Sequence, residues 1–305
     1  MATAALPDTI RALYPFDSHF VTLSDGKLLH YIDEGPADGE VLVFIHGYPT
    51  WSYAYRALVV YYAAMGYRCI ALDHVGFGLS DKPTSRRYHT LRRHIHNLIE
   101  SITQLELQPV TLIMEGWGGP LGLGYAIRNP EQVRRMAIMD TWAFQDTYIY
   151  RLNRWVGIVT KPGIGELLFR TLNLAIMLSV QQWTVRRLSA TVLEGYRYPF
   201  RDLRSRTALV QFPRMVNLTP SHPSASSIRE IEQNLPLLNT IPTLILWGQE
   251  DRILTPDVAD HWKKMLPRAR GPIMIERAGH LVCEDTPYDV IHHLDRFLER
   301  TSDPA

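Results

Sequence analysis

The chain is punctuated by short apolar runs that alternate with helical patterns. "VLVFIH" (41–46) precedes a helical pattern from about Ser52, "RCIALD" (68–73) precedes one across 88–106, and "VTLIME" (110–115) precedes one from Trp117. "VRRMAIMD" (133–140), "TLILWG" (243–248) and "PIMIERA" (272–278) continue the series, and the last two are again followed by helices. Runs that are apolar throughout and bounded by Gly and Pro suit a sheet covered on both faces, the mark of parallel strands joined by crossover helices. The earlier stretch "HFVTLSDGKLLHYIDEG" (19–35) holds Asp25-Gly26 between two β-rich runs and reads as a hairpin at one edge.

The alternation stops between Thr141 and about Leu235, in text rich in aromatic, Arg and Leu residues with helical periodicity near 164–195. Loops at the carboxyl ends of parallel strands line active sites, so this segment is expected to be a helical cap. The expected organisation is a core of residues 1–140 and 236–305 with a cap (lid) domain over 141–235. A length of 305 residues accommodates one large α/β domain with an insertion as readily as two domains.

Several classes of function are disfavoured. Lys plus Arg number 32 against 31 for Asp plus Glu, so no global field draws a polyanion, and nucleic acid is not an expected partner. Arg86, Arg87, Arg92 and Arg93, with His89, His94 and His96, read as a solvated helix face. The two cysteines, Cys69 and Cys283, lie in or beside apolar runs and suit buried thiols in a reducing compartment. The opening "MATAALPDTI" lacks a basic n-region and an apolar h-region, so a cytoplasmic protein is expected. The apolar windows 57–66 and 167–180 are too short for a membrane span or are broken by Arg170 and Asn173. No metal is expected, since His94 and His96 are two apart on a helix, and no nucleotide cofactor, since the Gly-rich text after 115 lacks a phosphate-binding pattern.

The stretch "LIMEGWGGP" (112–120) has the form of a sharp strand-to-helix turn that lifts a nucleophile to a pocket mouth. It stands in an ordered set: "HGYPTWSYAYR" (46–56), "DHVGFGLSDKP" (73–83), "WGGPLGL" (117–123), "DTWAF" (140–144), "FPRM" (212–215), "WGQEDRIL" (247–254) and "AGHLVCEDTP" (278–287). Together these resemble the α/β-hydrolase fold, and within it the haloalkane dehalogenase branch with epoxide hydrolases as near relatives. The resemblance covers nearly the whole chain. It implies a mostly parallel eight-stranded sheet flanked by helices, with a helical cap insertion.

It also implies roles. The family's nucleophile is an Asp that displaces halide, after which a His with a carboxylate partner activates water to hydrolyse the alkyl-enzyme ester. By position His280 is the general base and Asp251 its acid, with Asp140 as the alternative acid because some dehalogenases carry it after the sixth strand. Tyr48 and Trp117 supply the two backbone donors for developing negative charge. Trp117, Tyr48, Trp142, Phe144, Phe212 and Met215 are the expected substrate-binding residues, with Tyr148, Tyr150, Trp155 and Trp183 as further candidate pocket walls.

Two positions depart from the family. The frame Glu115-Gly116-Trp117-Gly118-Gly119 matches the family's x-Asp-Trp-Gly-Gly without gaps, so Gly116 sits where the attacking Asp should be. Tyr48 stands where the family often carries the Asn or Glu that shares a halide cradle with Trp. Glu115 does not replace the lost carboxylate, because successive strand residues point to opposite faces; it reads as a supporting group whose pKa burial would raise. A nucleophile elbow holds its central residue at positive φ, and glycine removes that strain of about 1–3 kcal/mol. The expected activity is therefore general-base hydrolysis of a small to medium apolar ester or lactone, without a covalent intermediate or cofactor, by a monomer or homodimer. A lyase, decarboxylase or cyclase using the same groups, and a non-catalytic binder of an apolar ligand, are the alternatives.

Overall fold

The computed structural model describes residues 6–107, 109–145, 161, 163–216, 219 and 221–301. After a short helix, α1 (Asp8–Arg11), come β1 (His19–Thr22), β2 (Leu28–Glu34) and β3 (Val41–Ile45). A 3-10 turn (Ser52–Tyr55) leads into α2 (Arg56–Ala64), then β4 (Arg68–Leu72), α3 (Leu91–Gln104), β5 (Val110–Glu115), α4 (Gly118–Ala126) and β6 (Val133–Met139). Within the inserted segment lie a π-helical turn (Glu166–Thr171), α5 (Leu174–Trp183), α6 (Ala190–Arg197), α7 (Thr207–Arg214) and α8 (Ala225–Asn234). The chain closes with β7 (Thr243–Gly248), α9 (Pro256–Met265), β8 (Arg270–Ile275), α10 (Val282–Asp285) and α11 (Pro287–Arg300).

The strands form one eight-stranded sheet in the order β1-β2-β4-β3-β5-β6-β7-β8. β1 pairs with β2, and β2 with β4, antiparallel; all later pairs are parallel. The hairpin expected around Asp25-Gly26 forms the edge. All residues of β5 and β7 are buried, as their uninterrupted apolar text demands, whereas β8 at the far edge is mostly half-buried.

Helix faces follow their spacing. In α3, Leu91, His94, Ile95, Leu98, Ser101 and Ile102 are buried, and Thr90 caps the start by accepting from the N–H of Arg93. α4 is buried all round and seats against the carboxyl end of β3 so closely that a Cβ on Gly118 would stand 1.9 Å from the Ile45 carbonyl oxygen. Only glycine permits that approach, and it brings the first turn of α4 over the sheet's carboxyl edge.

The solvated face expected around His89 and His94 is half right. The four arginines are exposed, but both histidines are buried and their rings face Phe212 of α7 at 6.4 and 4.7 Å. Periodicity could not foresee that the insertion would fold back over them. Cys69 and Cys283 are free and buried. Among the described residues no helix is long and apolar enough to cross a membrane.

Candidate active site

The site is assembled where β3, β5, β7 and β8 end. At the turn from β5 into α4, Gly116 adopts φ of 54°, the left-handed conformation that a nucleophile elbow imposes. A Cβ built there would stand 3.7 Å from Nε2 of His280 and 3.4 Å from Cα of Gly47, with no other atom of the described residues, its chain neighbours aside, closer than 4 Å. The side-chain direction at 116 thus points at the imidazole. Thr141, at the exit from β6, pins the turn by donating its hydroxyl to the Gly116 carbonyl.

The loop after β3 forms the opposite wall. His46 is buried, donates from Nδ1 to the Gly47 carbonyl at 2.8 Å and accepts the His74 N–H at 3.0 Å through Nε2. Burial holds its pKa down near 4, so it is a neutral brace for the turn that carries Tyr48. The Tyr48 hydroxyl donates to the Leu209 carbonyl of α7 at 3.0 Å, tying this loop to the insertion. The backbone N–H groups of Tyr48 and Trp117 have no protein acceptor among the described residues. Trp117 sits at the N-cap of α4, where the helix presents unpaired donors.

His280 follows β8 and is 6 % exposed. Its Nδ1 lies 2.8 Å from Oδ2 of Asp251, while Oδ1 of Asp251 accepts the N–H groups of Ile253 and Leu254 at 2.7 and 3.0 Å. Those two N–H groups fix the carboxylate, and the carboxylate fixes the tautomer: Nδ1 carries the proton and Nε2 turns its lone pair towards Gly116. Burial opposes protonation of the ring, but the Asp251 carboxylate, helped by Glu115, outweighs it and holds the pKa above the ordinary imidazole range.

Of the two candidate acids, the geometry joins Asp251 to His280. Asp140 instead spends Oδ1 on the Gly248 N–H at 2.9 Å, and its Oδ2 has no hydrogen-bond partner among the described residues. It is fully buried at φ of 42°, and burial together with the neighbouring Asp251 pushes its carboxyl well above the usual range. Its environment at the end of β6 therefore disfavours the charged form. Glu115 is 1 % exposed, accepts the Cys283 N–H at 3.3 Å through Oε1 and leaves Oε2 without a hydrogen-bond partner among the described residues. Burial raises its pKa to about 7, against the lowering effects of that N–H and of His280.

The expected apolar residues divide. Trp117 meets Trp142 edge to face at 4.9 Å and Phe212 at 5.3 Å, and Tyr48 faces Trp183 at 6.1 Å. Phe144 turns to α9, with its ring 4.4 Å from His261 and 5.3 Å from Trp262. Met215 is buried at the C-cap of α7. Tyr148, Tyr150 and Trp155 lie outside the described residues.

Sequence reading missed the fastening of the insertion to the histidine loop. The His280 N–H donates to the Trp183 carbonyl at 2.8 Å. Asp285 accepts the N–H groups of Val185, Arg186 and Gly279 at 2.8–3.1 Å. Glu284 accepts from both terminal nitrogens of Arg56 at 2.7 and 3.0 Å, from Arg186 at 2.6 Å and from Tyr196 at 2.6 Å. The text "CED" gave the only signal, an acidic pair four and five residues beyond His280, and such a pair is ordinary at a helix start.

Comparison with known proteins sets this geometry in context. Residues 40–287 match the family model described as alpha/beta hydrolase fold. The chain is 34 % identical over 296 residues to a cis-3-alkyl-4-alkyloxetan-2-one decarboxylase of Shewanella oneidensis, covering 95 % of this chain and 90 % of that protein. It is 30 % identical over 306 residues to a haloalkane dehalogenase of Psychrobacter cryohalolentis, covering 97 % and 95 %. The crystal structure of the haloalkane dehalogenase DatA from Agrobacterium tumefaciens C58 matches with a TM-score of 0.81 at 26 % identity, covering 94 % of this chain and 97 % of that one.

Proposed function

The chain belongs to the alpha/beta hydrolase fold family, and from that premise we propose that it performs general-base chemistry on the carbonyl of a small to medium apolar lactone, with no covalent bond between substrate and protein. The observation that carries this reading is the facing of Gly116 and His280, a built Cβ at 116 lying 3.7 Å from Nε2. Covalent displacement on the dehalogenase route needs a carboxylate at that point, and glycine offers none. What stands there instead is an oriented base, a pair of N–H donors and room for a reacting atom.

In this reading His280 Nε2 takes a proton from water, the water oxygen attacks the lactone carbonyl, and the Tyr48 and Trp117 N–H groups take the charge that develops on oxygen. The ring C–O bond then breaks, and the alkoxide recovers the proton from His280 to give a hydroxy acid. Asp251 keeps the ring in register and stabilises the imidazolium. Glu115 and Asp140 are supporting groups, and the cluster of Trp117, Trp142, Phe212, Tyr48 and Trp183 suits an uncharged, apolar substrate.

The relatives named for cis-3-alkyl-4-alkyloxetan-2-one support a four-membered cyclic ester as the substrate class. Their names also favour a second reading, decarboxylation, in which the ring expels carbon dioxide and leaves an alkene. Incubation with a cis-3,4-dialkyloxetan-2-one and analysis of extracts by gas chromatography and mass spectrometry separates the two, since one gives a β-hydroxy acid and the other an alkene. Equal rates with and without protein, or turnover indifferent to His280→Ala, would overturn both and leave a binder of apolar ligands.

A further inference from the structure

Resting on the reading of Gly116 as the position of the family's attacking residue, we propose that the turn between β5 and α4 binds a small free carboxylate, and that the bound anion serves as a diffusible nucleophile towards alkyl halides. The site is built from three independent features. The first is shape: among the described residues other than its chain neighbours, the side-chain direction at 116 meets Gly47 Cα at 3.4 Å and His280 Nε2 at 3.7 Å and nothing else within 4 Å. Glycine plus acetate has the heavy atoms of an aspartate residue, less one bond. Without that bond the carbon must withdraw to van der Waals distance from Cα, about 3.5–4.0 Å. Formate therefore fits better than acetate, and propionate worst.

The second feature is charge. α4 runs for nine residues with its N-terminus at the site, and the N–H groups of Trp117 and Tyr48, on the loops that flank it, have no protein acceptor among the described residues. A helix N-terminus with free donors favours an anion. The third is His280, 94 % buried by its 6 % exposure, whose Nε2 has no partner among the described residues and points at the same spot. The Asp251 carboxylate favours protonation of that imidazole, so Nε2 binds the anion in its protonated form and releases that proton to solvent once the neutral ester has formed, before it serves as base.

A carboxylate held there occupies the place from which an aspartate would attack. Its oxygen forms a bond to the halide-bearing carbon as the carbon–halogen bond breaks, and the electron pair leaves with the halide. The product is a free alkyl ester. His280 then takes a proton from water, the resulting hydroxide attacks the acyl carbon, and the alkoxide leaves with that proton. Formic acid is released and ionises, so one alkyl halide and one water become one alcohol, one halide and one proton, with the carboxylate regenerated.

The test measures bromide release from 1-bromobutane by the wild-type protein in buffers free of other carboxylates, titrated with formate, acetate and propionate at constant ionic strength. The expected result is a saturable rise, about tenfold or more over formate without protein because the reactants are held in register, in the order formate, acetate, propionate. With ¹⁸O-labelled formate the label must appear in the butanol, since attack at the alkyl carbon delivers a carboxylate oxygen. Gly116→Ala, which puts a Cβ into the site, should remove the saturable component. If that variant does not fold, the label and the saturation still decide. Bromide release linear in formate and unchanged by the protein, or butanol carrying only water oxygen, overturns the proposal. Lactone turnover without any formate effect removes the carboxylate site and leaves the lactone reading intact; labelled butanol without lactone turnover does the reverse.

Discussion

The backbone N–H of His280 donates to the Trp183 carbonyl at 2.8 Å, and the two rings meet edge to face at 5.2 Å. His280 is thus held from two directions, by Asp251 on the sheet side and by the end of α5 in the inserted segment. Asp285 completes the fastening through the N–H groups of Val185, Arg186 and Gly279. Its replacement by alanine leaves three donors without that acceptor. Asp285→Ala should cost about 2–4 kcal/mol of stability, measured by urea unfolding, and should lower kcat more than it changes KM, because the position of His280 suffers more than the apolar walls.

The acid assignment is tested by two isosteric changes. Asp251→Asn removes the charge that holds the His280 tautomer and should lower kcat by about 10²–10⁴, and His280→Ala should abolish turnover. Asp140→Asn should leave kcat within about threefold, because Asp140 bonds the Gly248 N–H rather than the imidazole and burial already disfavours its charge. Loss of activity in Asp140→Asn with a mild effect in Asp251→Asn would reverse the assignment.

Activity should depend on neutral His280. Its pKa lies above the ordinary imidazole value because of Asp251, so the basic form is complete only above that raised value. The rate should therefore fall as pH drops through a point above about 6.5, and Asp251→Asn should move that point downward in whatever activity remains. A rate that stays level from pH 8 to well below the imidazole range, roughly pH 5, excludes His280 as the base.

Glu115 gives a prediction about stability. Its carboxyl is raised on folding from the ordinary value to about 7, chiefly by burial. A carboxyl raised in this way leaves stability intact below its unfolded pKa and erodes it as pH climbs through the folded value. Glu115→Gln keeps the shape and removes the titration. The stability of the variant relative to the parent should improve between pH 4 and pH 9 by about 3 kcal/mol at most, read from denaturant midpoints at each pH.

How much of this was legible beforehand follows from where the physics is local. The strands were readable because residues such as Leu112, Ile113 and Met114 are apolar on both faces, and only a doubly covered sheet accommodates them. The ring partner of His280 was readable only as a preference, Asp251 over Asp140, because the text around Asp251 resembles the family's acid loop. Asp140 and Asp251 both follow strands ending at the same edge, and sequence order says nothing about which carboxylate reaches the ring. The sheet order resolves it: β7 and β8 are neighbours, while Asp140 ends β6 and is taken up by the Gly248 N–H. The burial of His89 and His94 and the grip of Glu284 on Arg56, Arg186 and Tyr196 depend on how the insertion folds back, and no local periodicity encodes that.

Gly116 tests the elbow at a single position. Gly116→Asp restores a carboxylate pointing at His280, with a built Cβ 3.7 Å from Nε2 and 3.4 Å from Gly47 Cα, so the first atom of the new side chain fits without displacing backbone. The cost comes from φ of 54°, which a residue with a Cβ adopts at about 1–3 kcal/mol, and the melting temperature should fall accordingly. The variant should be alkylated by reactive bromoalkanes, detected as a mass increase on the intact protein, whereas the parent in carboxylate-free buffer should neither gain mass nor release bromide. Native turnover should disappear, because the new carboxylate occupies the place assigned to water. A variant as stable as the parent, with native activity intact and no mass increase, would mean that position 116 neither bears strain nor lies beside the reacting atoms, and the dehalogenase-like reading of the turn would have to be given up.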